Sequence, residues 1–67
     1  MAGSDLHELS EPELAKRLTD LKTELFHLRF QHAAGQLDNP IRLRDVRRDI
    51  ARVMTEQRSR ERAAQAR

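Results

Sequence analysis

Two runs of apolar residues at heptad spacing, separated by a glycine-to-proline break, constrain this chain more than any other feature. The first run is Leu14, Leu18, Leu21, Leu25 and Leu28, with His32 next, a 4-3-4-3-4 rhythm. The second is Leu43, Val46, Ile50, Val53 and Gln57, a 3-4-3-4 rhythm. Each rhythm lays its side chains along one stripe of a helix, the seam of a coiled coil. Between the two stands Gly35-Gln36-Leu37-Asp38-Asn39-Pro40. Gly35 supplies the left-handed residue that a helix end favours, Asn39 is a cap, and Pro40 suits a first helical position. A connection this short makes the two helices antiparallel neighbours.

The first helix has its own start signal, Ser10-Glu11-Pro12-Glu13. Ser10 caps the helix and Glu13, three residues on, reaches back to the Ser10 amide, which makes a capping box. Pro12 sits in the first turn, where its missing N–H costs nothing. Leu9 and Leu14 take the hydrophobic-staple positions. The expected fold is all-α: one domain over 1–67, made of two long antiparallel helices in a coiled-coil hairpin. Helix boundaries are expected near 11–34 and 40–62, with the loop over 35–39 and a flexible tail over 63–67. Residues 4–9 are expected to add a short turn of helix held by Leu6 and Leu9. Beyond Val53 the second seam turns polar, with Gln57, Arg60 and Glu61 opposite Leu18 and Leu14. Fraying is expected there, with the chain from Arg58 disordered unless a partner orders it.

Charge separates the two arms. Up to Pro40, four cations face seven acids, a net of −3; from Ile41 on, nine arginines face four acids, a net of +5. Arginine's planar fork suits bidentate phosphate contact. At about 100° per residue, with Leu43 at zero, Arg44, Arg47, Arg48, Arg58 and Arg62 fall between roughly 40° and 140°. Asp45, Asp49 and Glu56 fall on the other flank, between about 200° and 240°. Arg42 and Arg52 border the acids, within reach of helical ion pairs. A helix that stabilises only itself interleaves its acids and bases. This one sorts them, with small Ala51 and Thr55 among the bases, which points to a polyanion. RNA fits better than DNA, because no element resembles a groove-reading motif and structured RNA is held through shape and backbone.

The first helix carries a second apolar patch, Phe26, Phe30, Ala15 and Ala33, about 120° from its seam and flanked by Lys22 and Arg29. Two exposed phenylalanines on one patch point to a protein neighbour. Chemistry is otherwise absent. His27 and His32 are five residues apart and His7 is remote, so no metal pair forms. No cysteine, glycine-rich phosphate loop or nucleophile–base arrangement exists, and a two-helix hairpin has no pocket that excludes water. No enzyme activity, metal, cofactor or small-molecule substrate is expected. The acidic start lacks an apolar run and is not expected to act as a targeting peptide, and no segment approaches a membrane span. A cytoplasmic location follows.

Glu24-Leu25-Phe26-His27-Leu28-Arg29-Phe30-Gln31, Gly35 to Pro40, and Arg42-Leu43 with Val46-Arg47-Arg48-Asp49-Ile50-Ala51-Arg52 together resemble a family. It is the bacterial form of the twenty-ninth protein of the large ribosomal subunit. Its pattern reads E-L-F-x-L-R-F-Q, then G-Q-L-x-N-P, then R-x-x-V-R-R-x-I-A-R. The resemblance implies a helical hairpin on large-subunit ribosomal RNA near the nascent-peptide tunnel exit. It also implies a neighbour, the twenty-third protein of that subunit, and nearby docking of targeting or folding factors. Carried over by residue, Arg29, Arg42, Arg47, Arg48 and Arg52 are RNA-facing candidates, and Gly35, Asn39 and Pro40 shape the turn. Arg44, Arg58 and Arg62 join them from the helical-face argument. Phe26, Phe30 and Ala33 are the partner-contact candidates. The alternative is a stand-alone coiled-coil module that dimerises through its leucines, and the polar turn of the seam after Val53 argues against it.

Overall fold

The computed structural model describes residues 3–36 and 40–66, with backbone alone at 3–5. A 3-10 helix, Gly3–Glu8, leads into α1, Glu11–Ala33, which is followed by α2, Pro40–Gln65. The two long helices pack side by side in a rod 49 Å long and 17–18 Å across. No strand occurs among the described residues.

Both ends of α1 are built as their residues dictate. The Glu13 N–H donates to Ser10 Oγ at 3.3 Å, and the Ser10 N–H donates to Glu13 Oε1 at 3.0 Å. That reciprocal box lowers the Glu13 carboxyl pKa, first through the Ser10 backbone amide and then through its hydroxyl. At the other end Gly35 adopts φ +71°. Its N–H donates to the His32 carbonyl at 3.0 Å, and the Gln36 N–H donates to the Gln31 carbonyl at 2.8 Å. These two bonds form a Schellman cap, which satisfies carbonyls that the helix end leaves open. Pro40 is the first residue of α2. Asn39, the expected cap, lies outside the described residues, as do Leu37 and Asp38.

The core follows the two seams. Leu14, Val46 and Val53 are fully buried, and Leu21, Leu25 and Leu43 nearly so. Leu9, Leu18, Leu28 and Ile50 pack against them, half-buried. His32, placed on the first seam, is exposed. It lies in the last turn of α1, beside the loop.

The open end of the hairpin departs from expectation. α2 runs to Gln65 instead of ending near Arg62, and residues 58–65, expected to be disordered without a partner, are helical. The physical reason is the N-terminal 3-10 helix, which folds back against α2. Leu6 is 2% exposed and supplies the apolar side chain that the polar end of the seam lacks. One Arg60 Nη2 donates to the carbonyls of Leu6, His7 and Leu9, at 3.1, 3.4 and 2.6 Å. Arg60 Nε donates to Glu56 Oε2 at 2.9 Å, and Glu56 Oε1 lies 2.7 Å from His7 Nδ1. Glu56 is the one buried charged residue among those described, and it is multiply partnered.

Candidate nucleic-acid interface

The hairpin has two long flanks with different electrostatics. On one, acids and bases neutralise each other. Arg42 reaches across from the first turn of α2 and bonds the Glu24 carboxylate of α1 through two nitrogens, Nη2 at 2.7 Å from Oε1. The Arg42 guanidinium holds the Glu24 carboxyl below its usual range, and Glu24 in turn raises Arg42. Arg52 lies 3.8 Å from Asp49, one turn away on the same helix. The Glu56–Arg60 pair and the N-terminal 3-10 helix complete this flank. A shallow recess here is lined by Leu6, Arg48, Arg52, Glu56 and Ser59.

On the other side, cations stand without acids. Arg44, Arg47, Arg48, Arg58 and Arg62 are all exposed on α2, and Arg29 is exposed on α1. None of these six makes an ion pair with another described residue. Ala51 and Thr55 are exposed among them, and the Thr55 hydroxyl is turned back to donate to the Ala51 carbonyl at 2.8 Å. The surface is therefore small side chains and guanidinium groups, an arrangement that suits close approach of a phosphate backbone.

Six of the eight arginines singled out from the sequence thus share one character, and two do not. Arg42 and Arg52 are bound within the chain, to Glu24 and Asp49. For Arg52, helical position and family motif pointed different ways, and its place is beside the acids. Phe26 and Phe30 are 64% and 77% exposed, so neither folds over the loop, and Ala33 is exposed with them. Ile41 is 60% exposed at the same end of the hairpin. The sequence reading passed over it because it belongs to no periodic stripe. It also missed Glu56 and Arg60 as a joint, since the acceptors of Arg60 are backbone carbonyls, which carry no residue signature. Among the described residues no cluster of three metal-capable side chains occurs, and no helix is long and apolar enough to cross a membrane.

Comparison with known proteins adds to this geometry. The family described as "Ribosomal L29 protein" matches residues 4–60. The "Large ribosomal subunit protein uL29" of Caldanaerobacter subterraneus subsp. tengcongensis is 57% identical over 61 residues, 91% of this chain and 92% of that protein. The protein of the same name from Heliobacterium modesticaldum is 57% identical over 65 residues, covering 97% of each. That of Carboxydothermus hydrogenoformans is 58% identical over 65 residues, 97% of this chain and 94% of its own. With the match spanning the 3-10 helix, both long helices and the loop between them, the chain belongs to the ribosomal L29 protein family.

Proposed function

We propose that this chain is a structural, non-catalytic component of the large ribosomal subunit that binds ribosomal RNA through the unpaired arginines of α2. It lies near the nascent-peptide tunnel exit and meets a neighbouring ribosomal protein through Phe26, Phe30 and Ala33, within reach of targeting or folding factors. It works in the cytoplasm, bound to the ribosome. The observation that carries the RNA contact is the division of the hairpin by charge. The acids are spent within the chain on Arg42, Arg52 and Arg60, while Arg44, Arg47, Arg48, Arg58 and Arg62 are left for an outside anion. Family membership supports the ribosomal setting. The exposed Phe26 and Phe30 support a protein neighbour, because two large apolar rings on one surface are costly in water.

The test replaces Arg44, Arg47 and Arg48 with Gln and measures binding to protein-free large-subunit RNA across a salt series. Each phosphate contact adds about 0.7–0.9 to the slope of log affinity against log salt, so the slope falls by roughly 2–3. Unchanged affinity and slope, with helicity intact, overturn the proposal. A dimerising coiled-coil module is disfavoured, because both seams are used within the hairpin and the polar end is closed by Leu6 and Arg60.

A further inference from the structure

We infer that the RNA strand lies in a cleft between the two helices, with Lys22 and Arg29 of α1 on one rim and Arg47 and Arg58 of α2 on the other. This rests on the RNA-binding function proposed above and deepens it: the ligand surface is the folded hairpin, not a stripe on α2 alone.

The two sides of the hairpin are filled differently. The 3-10 helix packs on the side of α2 that bears Arg52 and Glu56, and Glu24–Arg42 closes the same side of α1. The opposite side stays open. There a cleft runs between the helices, lined by Leu14 and Leu18 of α1 and by Met54, Gln57 and Arg58 of α2. Helical spacing extends this lining toward the loop. Lys22 stands one turn beyond Leu18, and Arg29 two turns beyond Lys22, so both keep to the flank of Leu18. Arg47 stands two turns before Met54 on the same stripe of α2. Lys22, Arg29, Arg47 and Arg58 are all exposed, and none has an ion-pair partner among the described residues.

The acids avoid this cleft. Glu13, Asp20 and Glu24 lie on the far flank of α1, and Asp45, Asp49 and Glu56 lie on the far flank of α2. Only Glu11 and Glu61 reach it, and both line its open end. From Leu18 to the loop the two rims carry cations alone, above a floor of Leu18 and Met54. Met54 is 42% exposed although it stands beside the core. Cationic rims over an apolar floor match a sugar–phosphate strand, whose phosphates meet the rims while the sugars cover the floor. Arg47 and Arg58 are eleven residues apart on a continuous helix, roughly 16 Å, which spans several phosphates.

The chain provides its own internal control, because Lys16 and Lys22 are its only lysines. Both are exposed, but Lys16 faces away from the cleft, on the flank with Glu13 and Asp20. Lysine acetylation of the full-length wild-type protein, free and bound to protein-free large-subunit RNA, is read by mass spectrometry. Protection of Lys22 but not Lys16 is the expected result; equal protection, or none at Lys22, overturns the cleft. Protection of Lys22 in intact subunits but not on RNA alone also overturns it, by making an acidic protein the occupant.

A variant pair gives the second readout. Lys22→Gln with Arg29→Gln should lower the salt slope by roughly 1.4–1.8, two phosphate contacts' worth. Lys16→Gln with Arg52→Gln, which removes the same charge elsewhere, should leave it unchanged. Equal slope changes in both pairs overturn the cleft. If the Arg44, Arg47 and Arg48 variant loses RNA while the Lys22 and Arg29 variant does not, the cleft falls and the proposed function stands. If neither loses RNA, both fall.

Discussion

Arg60 shows how much one side chain can settle when its acceptors are backbone. Its guanidinium serves three carbonyls at the end of the 3-10 helix and one oxygen of Glu56. Those carbonyls are the groups a helix end leaves without partners, and an arginine fork is well shaped to collect several of them. Replacing Arg60 with Ala strips that cover and leaves the Glu56 carboxylate, 10% exposed, facing only His7. A buried acceptor left without its donor costs about 1–3 kcal/mol, more for a charged group. In a domain of this size each kcal/mol shifts Tm by roughly 4–8 °C. Thermal melting of Arg60→Ala should therefore show a drop of at least several degrees, with amide exchange at Leu9 accelerated beyond that of mid-α1. An unmoved Tm would show that the 3-10 helix docks through Leu6 alone. Glu24 gives a pH dependence of defined sign. Its carboxyl pKa is lowered in the folded chain, chiefly by the Arg42 hydrogen bonds. The stability it adds is present above the ordinary carboxylate pKa and is lost as pH falls through the lower, folded value. Acid titration of the melting temperature should fall less steeply in Arg42→Gln than in the wild type below about pH 4.5, the model value for this group. Superimposable profiles would leave the bridge without a role in stability.

At the scale of the helix, the apolar rhythm was legible because it is local. Seven-residue spacing places side chains on one stripe whatever the partner, and Leu14, Leu21, Leu25, Leu43, Val46 and Val53 are the buried residues of α1 and α2 that it marks. The start of α1 and its Gly35 end were equally legible, since a capping box and a left-handed glycine need only neighbours within six residues. The end of α2 was not. Read alone, Gln57, Arg60 and Glu61 make a polar stripe that ought to fray, and helix to Gln65 depends on Leu6, far away in sequence. Leu25→Ala tests the seam. Leu25 is 9% exposed, and deleting its side chain should cost about 2–3 kcal/mol, the low end for such a truncation because a two-helix core is thin. Phe26→Ala, one residue on but 64% exposed, should change stability by no more than about 0.5 kcal/mol. Urea unfolding of the pair separates core from surface, and a larger loss at Phe26 would mean that its ring is covered in the hairpin.

The whole molecule adds what neither helix shows alone, namely which arginines are spent. Sorting by sign along α2 was visible from helical angles, but Arg42 and Arg44 look alike in sequence. Only the fold brings Glu24 of α1 to Arg42 and leaves Arg44 exposed. The unspent cations carry a cost in the free protein. Arg44 sits three and four residues before Arg47 and Arg48, and Arg48 sits four before Arg52, spacings at which like charges repel by roughly 0.2–0.5 kcal/mol per pair. Gln has nearly the helix propensity of Arg, so replacing Arg44, Arg47 and Arg48 removes that repulsion at little other cost. The free triple variant should melt at the wild-type temperature or a few degrees above it, in a low-salt buffer where the repulsion is least screened. RNA affinity should fall at the same time, so stability and binding move in opposite directions. A surface kept for a ligand accepts such strain, whereas a surface that holds the fold does not. A variant that both melts lower and releases RNA would place those arginines among the groups that hold the hairpin together.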